Sequence, residues 1–121
     1  MSLQTCYEKL EGDFDAVMGR LRSERMVQKF VLKFLNDGSY DMLCRAMQTQ
    51  NVEEAFRAAH TIKGVCQNLD FTKLYESSHE LAELLRGGSW SDAAPAVFER
   101  VTADYRQTVD AIRELEAEIG A

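Results

Sequence analysis

The sequence predicts an all-α protein: an antiparallel up-down-up-down four-helix bundle preceded by extra N-terminal helices. Three observations predict it. The chain holds one proline in 121 residues. Apolar residues recur at spacings of three and four along almost its whole length, the period of one helix face. No alternating apolar and polar run of useful length marks a strand, and β-branched runs are few.

The elements follow in order. Gln4 to Glu11 forms a short helix stopped by Gly12. Asp13 caps a second, to Arg22. Ser23 caps a third, Glu24 to Asn36, which carries Val27, Phe30, Val31, Phe34 and Leu35. Asn36-Asp37-Gly38-Ser39 breaks the pattern. Tyr40 to Gln50 carries Met42, Leu43, Ala46 and Met47. Asn51-Val52-Glu53-Glu54 resembles a capping box, with Glu54 reaching back to Asn51, and opens a helix to about Leu69. Asp70 caps the next, Phe71 to Arg86, which Gly87-Gly88 terminate. Ser91 caps a long last helix with Pro95 in its first turn. Its apolar stripe runs through Val97, Val101, Asp104/Tyr105, Thr108, Ile112, Leu115 and Ile119. Short loops between successive long helices make them antiparallel neighbours. The chain therefore reads as a single domain over 1–121, with capping helices in 1–23 and the bundle in 24–119.

Composition narrows the function classes. The net charge is −6 with no Lys/Arg run, which disfavours nucleic acid and anionic membrane as partners. No apolar stretch is long enough to span a bilayer, and the N-terminus lacks the basic-then-apolar pattern of a signal peptide. Cys6, Cys44 and Cys66 are odd in number and widely spaced, so free thiols in a reducing cytoplasm are expected. Cys44 and Cys66 lie on apolar stripes and read as small buried residues, and Met18, Met26, Met42 and Met47 read as core filling.

The chemistry concentrates in Ala58-Ala59-His60-Thr61-Ile62-Lys63-Gly64. At about 100° per residue, Lys63, Gly64, Gln67, Phe56 and Glu53 all fall within roughly 60° of His60 on the helix surface. Ala55, Ala59, Ile62, Cys66 and Leu69 fall on the opposite side, which faces a core. His60 therefore faces water. A glycine inside a helix costs on the order of 1 kcal/mol relative to alanine, so Gly64 points to a close approach by something outside. An exposed imidazole is a competent nucleophile near neutral pH and can carry a phosphoryl group as a phosphoramidate. Lys63, one turn on, can neutralise part of the added charge.

Competing chemistries are weaker. His60 and His79 lie on consecutive helices, but His60 has no Cys, His, Asp or Glu three or four residues away, and structural zinc needs four ligands; no metal site is expected. A cofactor in the bundle core does not suit a histidine that points outward. No Ser-His-Asp set or carboxylate pair is readable. Arg86-Gly87-Gly88-Ser89 reads as a helix stop before it reads as an anion cradle.

These residues resemble the histidine-containing phosphotransfer (HPt) domains of bacterial phosphorelays. The likeness rests on Ala59-His60-Thr61-Ile62-Lys63-Gly64 and extends to Asn68-Leu69, Leu74 and Leu81. Upstream, Phe30, Phe34, Leu43, Ala46 and Asn51 keep the family's spacing. It covers residues 24–86 well and the flanks loosely. The resemblance implies that His60 is the phosphoacceptor, that Lys63 stabilises the phosphate and that Gly64 gives access. It implies a carrier rather than an enzyme, with no cofactor of its own. Response-regulator receiver domains, which supply the aspartate and magnesium, and a hybrid sensor histidine kinase are the implied partners. Phe56, Gln67, His79 and the Ile62–Val65 flank are candidate partner contacts on a monomeric, cytoplasmic protein. An adaptor of the same fold that carries no phosphate is the alternative.

Two positions depart from the family. Asp70 stands where a glycine usually ends the histidine helix, and as an N-cap it implies a changed turn. Ala82 stands where Gln or Glu usually faces the histidine ring. Glu83 and His79 are its neighbours, and what orients the imidazole is left open.

Overall fold

A computed structural model describes residues 1–120; Ala121 lies outside the described residues. Seven α-helices follow one another: α1 (Leu3–Leu10), α2 (Phe14–Leu21), α3 (Glu24–Lys33), α4 (Ser39–Gln48), α5 (Val52–Leu69), α6 (Thr72–Leu85) and α7 (Ala94–Gly120). A 3-10 turn, Phe34–Asn36, extends α3.

Local chemistry accounts for most helix starts. The Asp13 carboxylate accepts from the Ala16 N–H at 2.9 Å, the Ser23 hydroxyl from Met26 at 3.3 Å, and the Asn51 side chain from Glu54 at 3.2 Å. Each removes one donor that a helix start leaves unpaired. The reciprocal half of the capping box is absent, because the Glu54 carboxylate takes Arg57 at 3.3 Å instead. At the start of α7, Ser91 accepts from the Ala93 N–H at 3.2 Å, one residue before the helix, and Pro95 lies in its first turn.

Asp70 is not the cap of α6. It ends α5 in the left-handed conformation, φ 56° and ψ 41°, and its N–H points back to the Cys66 and Gln67 carbonyls. The turn is therefore of the kind a glycine makes, with an aspartate tolerated there. Its carboxylate receives the Arg20 guanidinium at 3.3 Å. Phe71 takes the cap position of α6 without a side-chain hydrogen bond. Glu11, Arg22 and Gln50 also hold left-handed conformations.

Helices α4 to α7 pack in sequence as antiparallel neighbours, α1 lies along α7, and α3 reaches both α5 and α7. Tyr40 of α4 closes the bundle. Its ring stacks on Tyr105 of α7 at 4.0 Å between centroids, and its hydroxyl donates to Thr102 at 2.9 Å. One hydrophobic cluster runs through every helix, with Tyr7, Phe71, Leu74, Leu81 and Ile112 fully enclosed. Full burial of each such side chain stabilises by roughly 1.5–3 kcal/mol. Met47 joins the core, whereas Met26 and Met42 are exposed, and Cys44 is only half-buried beside the buried Cys6 and Cys66. These three positions stand at the edge of their stripes, where a step of 100° decides between core and solvent.

The fold sets α5 in the middle of the bundle, between α4 and α6. One of its faces is core, and the opposite face carries the exposed His60 and Gln67.

Candidate functional site

Helix α5 presents its two faces as the spacing requires. Ala55, Ala59, Ile62, Cys66 and Leu69 are buried. His60 and Gln67 are exposed, and Phe56, Lys63 and Gly64 are half-buried beside them. The alanines that back the histidine let α4 and α6 approach α5 closely. A Cβ placed on Gly64 would meet nothing within 4 Å. The glycine is thus not required by packing inside the molecule, and open space lies over it.

His60 has a definite neighbour. Its ring stacks on Phe56, one turn earlier, with centroids 5.7 Å apart and planes 23° from parallel. That separation lies within the range of favourable aromatic pairs. Over the same Phe56 ring stands the Arg86 guanidinium, 5.2 Å from the centroid. Arg86 follows the last residue of α6, which brings the end of α6 over the first half of α5. Its Nε and Nη2 donate to the two Glu83 oxygens at 3.2 and 3.0 Å. This contact holds the Glu83 carboxyl below its ordinary value, and the charges of Arg86, His79 and Lys63 add to the effect. The same pair raises the Arg86 guanidinium.

The other expected residues divide. Ala82 is fully enclosed in the core, so that position offers nothing to the imidazole. Glu83 is engaged by Arg86, and His79 stacks on Tyr75 at 5.8 Å, its planes 3° apart. The His79 Nδ1 is buried and has no hydrogen-bond partner. Neither Glu83 nor His79 makes a hydrogen bond to the His60 ring. Of the Ile62–Val65 flank, Ile62 is buried and belongs to the core. Val65 reaches a groove of about 470 Å³ between α2, α3 and α5, together with Leu21, Phe30, Asn68 and the cations Arg20 and Lys33.

Sequence reasoning missed Arg86 as part of this face, reading it only with the glycines behind it. Those glycines do stop α6: Gly87 and Gly88 take φ of 97° and 86°. They do not cradle an anion at a helix start, since α7 begins six residues after Gly88. No group of three or more His, Cys, Asp or Glu that would hold a metal ion occurs among the described residues.

The pattern that defines the Hpt domain matches residues 32–119. The chain belongs to the Hpt domain family. The match contains α4 to α6 whole and nearly all of α7, and with them His60, Lys63 and Gly64. It leaves α1 and α2 outside. No curated protein and no solved structure gives a significant match to the chain. Hpt domains are carriers of phosphoryl groups rather than catalysts, and they work with receiver domains and kinases in phosphorelays. No helix among the described residues is long and apolar enough to cross a membrane.

Proposed function

We propose that this Hpt domain carries a phosphoryl group on His60 between receiver-domain aspartates of a two-component phosphorelay. The observation that carries the reading is the His60 face itself: an exposed imidazole, a lysine one turn on, and a glycine with open space above it.

The transfer follows from that arrangement. A ring nitrogen lone pair of His60 attacks the phosphorus of an aspartyl phosphate. The N–P bond forms, the acyl P–O bond breaks, and its electron pair stays on the aspartate carboxylate. The ring proton on the other nitrogen remains or is lost to water. Lys63 stabilises the phosphoryl oxygens as charge gathers there. Gly64 lets the partner's acidic site approach the helix. Magnesium held by the receiver would supply further neutralisation of the phosphoryl charge. The groove at Val65, lined by Leu21, Phe30 and Leu69 with both Lys33 and Asp37 beside them, suits an apolar helix of the partner, and Phe56, Gln67 and His79 are the further partner contacts of this reading. A hybrid sensor kinase as donor, a monomeric state and a cytoplasmic location complete the proposal.

The test is labelled phosphoryl transfer from a phosphorylated receiver domain with magnesium, comparing the native chain with His60→Gln. Acid-labile, base-stable label on the native chain alone supports a phosphohistidine carrier. No label from several receivers, on a folded helical protein, would replace it with the adaptor that carries no phosphate.

A further inference from the structure

Ala82 is enclosed in the core and offers the ring no hydrogen bond, yet the imidazole is not left unattended. It lies on Phe56, Phe56 lies under Arg86, and Arg86 is gripped at two points by Glu83. We propose that Phe56, Arg86 and Glu83 form a positioning column that orients the His60 imidazole for phosphoryl transfer, by stacking instead of by a hydrogen bond. The inference rests on the carrier reading of His60.

Each link has a physical basis. An exposed histidine turns about χ2 with little restraint, because that torsion is broad. A ring face one turn away, at 5.7 Å, confines it to one plane. Phe56 would itself turn, but a guanidinium over its face is attracted by the ring's quadrupole and holds it. Arg86 has many rotamers, and the two-point contact with a carboxylate selects one, since the guanidinium fork matches two oxygens. The column also ties the end of α6 to α5, so the ring's plane is set by the bundle rather than by one helix. Stacking leaves both ring nitrogens free along their in-plane lone-pair directions, which are the directions that attack phosphorus and bind a proton.

Phe56 is thereby a positioning residue first, which separates it from a mere docking contact. The distinction is open to measurement without any partner. The chain has two histidines, and His60→Gln assigns the His60 ring signals by NMR. The stacked face of Phe56 is expected to shift those protons upfield. Phe56→Leu is expected to move them downfield, Phe56→Tyr to restore them, and Arg86→Ala to give a partial change with the helical signal intact. Potassium phosphoramidate then probes reactivity directly. The imidazole nitrogen attacks its phosphorus, the P–N bond breaks, and ammonia leaves with the ring's proton. Phe56→Leu should slow this uptake roughly tenfold, as loss of a near-attack orientation does, with Phe56→Tyr close to the native rate.

Unchanged His60 shifts in Phe56→Leu would overturn the column. So would a variant whose receiver affinity falls while its rate at saturating receiver stays native, because Phe56 would then act in docking alone. Unchanged shifts in Arg86→Ala would remove Arg86 and Glu83 from the column. A native chain that takes up no phosphoryl group from either donor would overturn the carrier function, and the column's role in transfer with it, whereas the ring shifts would still report whether Phe56 orients His60.

Discussion

The Tyr7 hydroxyl donates to the Leu69 carbonyl at 2.7 Å, tying α1 to the last residue of the histidine helix. Tyr7 is fully buried, packed against Phe14 and Phe71 with centroids 5.7 and 5.6 Å away. Burial pushes its phenol well above the ordinary range, so it donates at every working pH. Tyr7→Phe keeps the ring and strands the Leu69 carbonyl. Urea unfolding should show a loss of about 1–2 kcal/mol. A variant as stable as the native chain would mean that the carbonyl finds another donor.

Two glycines should respond to alanine with opposite signs. At Gly64 the added methyl meets nothing within the molecule. Gly64→Ala should raise stability by up to about 1 kcal/mol, as helix propensity dictates, while transfer from a receiver falls. At Gly12 the same methyl would lie 2.7 Å from the Asp70 carbonyl oxygen and 2.9 Å from the Tyr7 ring. Gly12→Ala should cost about 1–3 kcal/mol through overpacking. Thermal unfolding of the pair, beside transfer rates for Gly64→Ala, checks both.

Lys63→Ala removes one cation beside His60 from a half-buried position. Stability should change by less than about 0.5 kcal/mol, as for most surface sites. Transfer should slow by roughly tenfold to a hundredfold, the range for loss of one charge-stabilising donor. Single-turnover kinetics at saturating receiver separates this from weaker docking, and a native rate there would strip Lys63 of its role.

Alkaline pH should weaken the fold through its thiols. Burial, reinforced by the Glu114 carboxylate and opposed by Lys9, pushes the Cys6 thiol up to about 11, and burial raises Cys66 as well. A raised folded value means that the native state holds its proton while the unfolded chain loses it. The stabilisation is therefore complete below the ordinary thiol value and is lost as pH rises from there through about 11. Urea titrations under reducing conditions should show a decline across this window that Cys6→Ala reduces.

What was legible in the sequence was whatever one helix decides alone. The Asn51 and Asp13 caps, the stop at Gly87-Gly88 and the two faces of α5 follow from neighbours within a turn or two. The His60, Lys63 and Gly64 constellation was legible for the same reason. Arg86 was not, because its place over Phe56 depends on how far α6 runs back along α5. Asp70 was misread because an aspartate before a helix ordinarily caps it, whereas here the Tyr7 and Gly12 side of the fold needs the turn in its left-handed form. The fate of Ala82 was likewise tertiary: a small residue on a stripe edge can face either way until the neighbouring helix is set.

The anchoring of α5 by Tyr7 and Gly12 bears on how the molecule can be cut. The family pattern begins at residue 32, but Leu3, Cys6, Tyr7, Leu10 and Val17 belong to the same enclosed apolar cluster as the bundle. A fragment trimmed to the matched boundaries would bare the flank of α7 that α1 covers and the far end of the histidine helix. An exposed strip of that kind promotes aggregation. The matched segment is therefore shorter than the segment that shares one apolar cluster, and moving it into another protein would require the first helices to be carried with it.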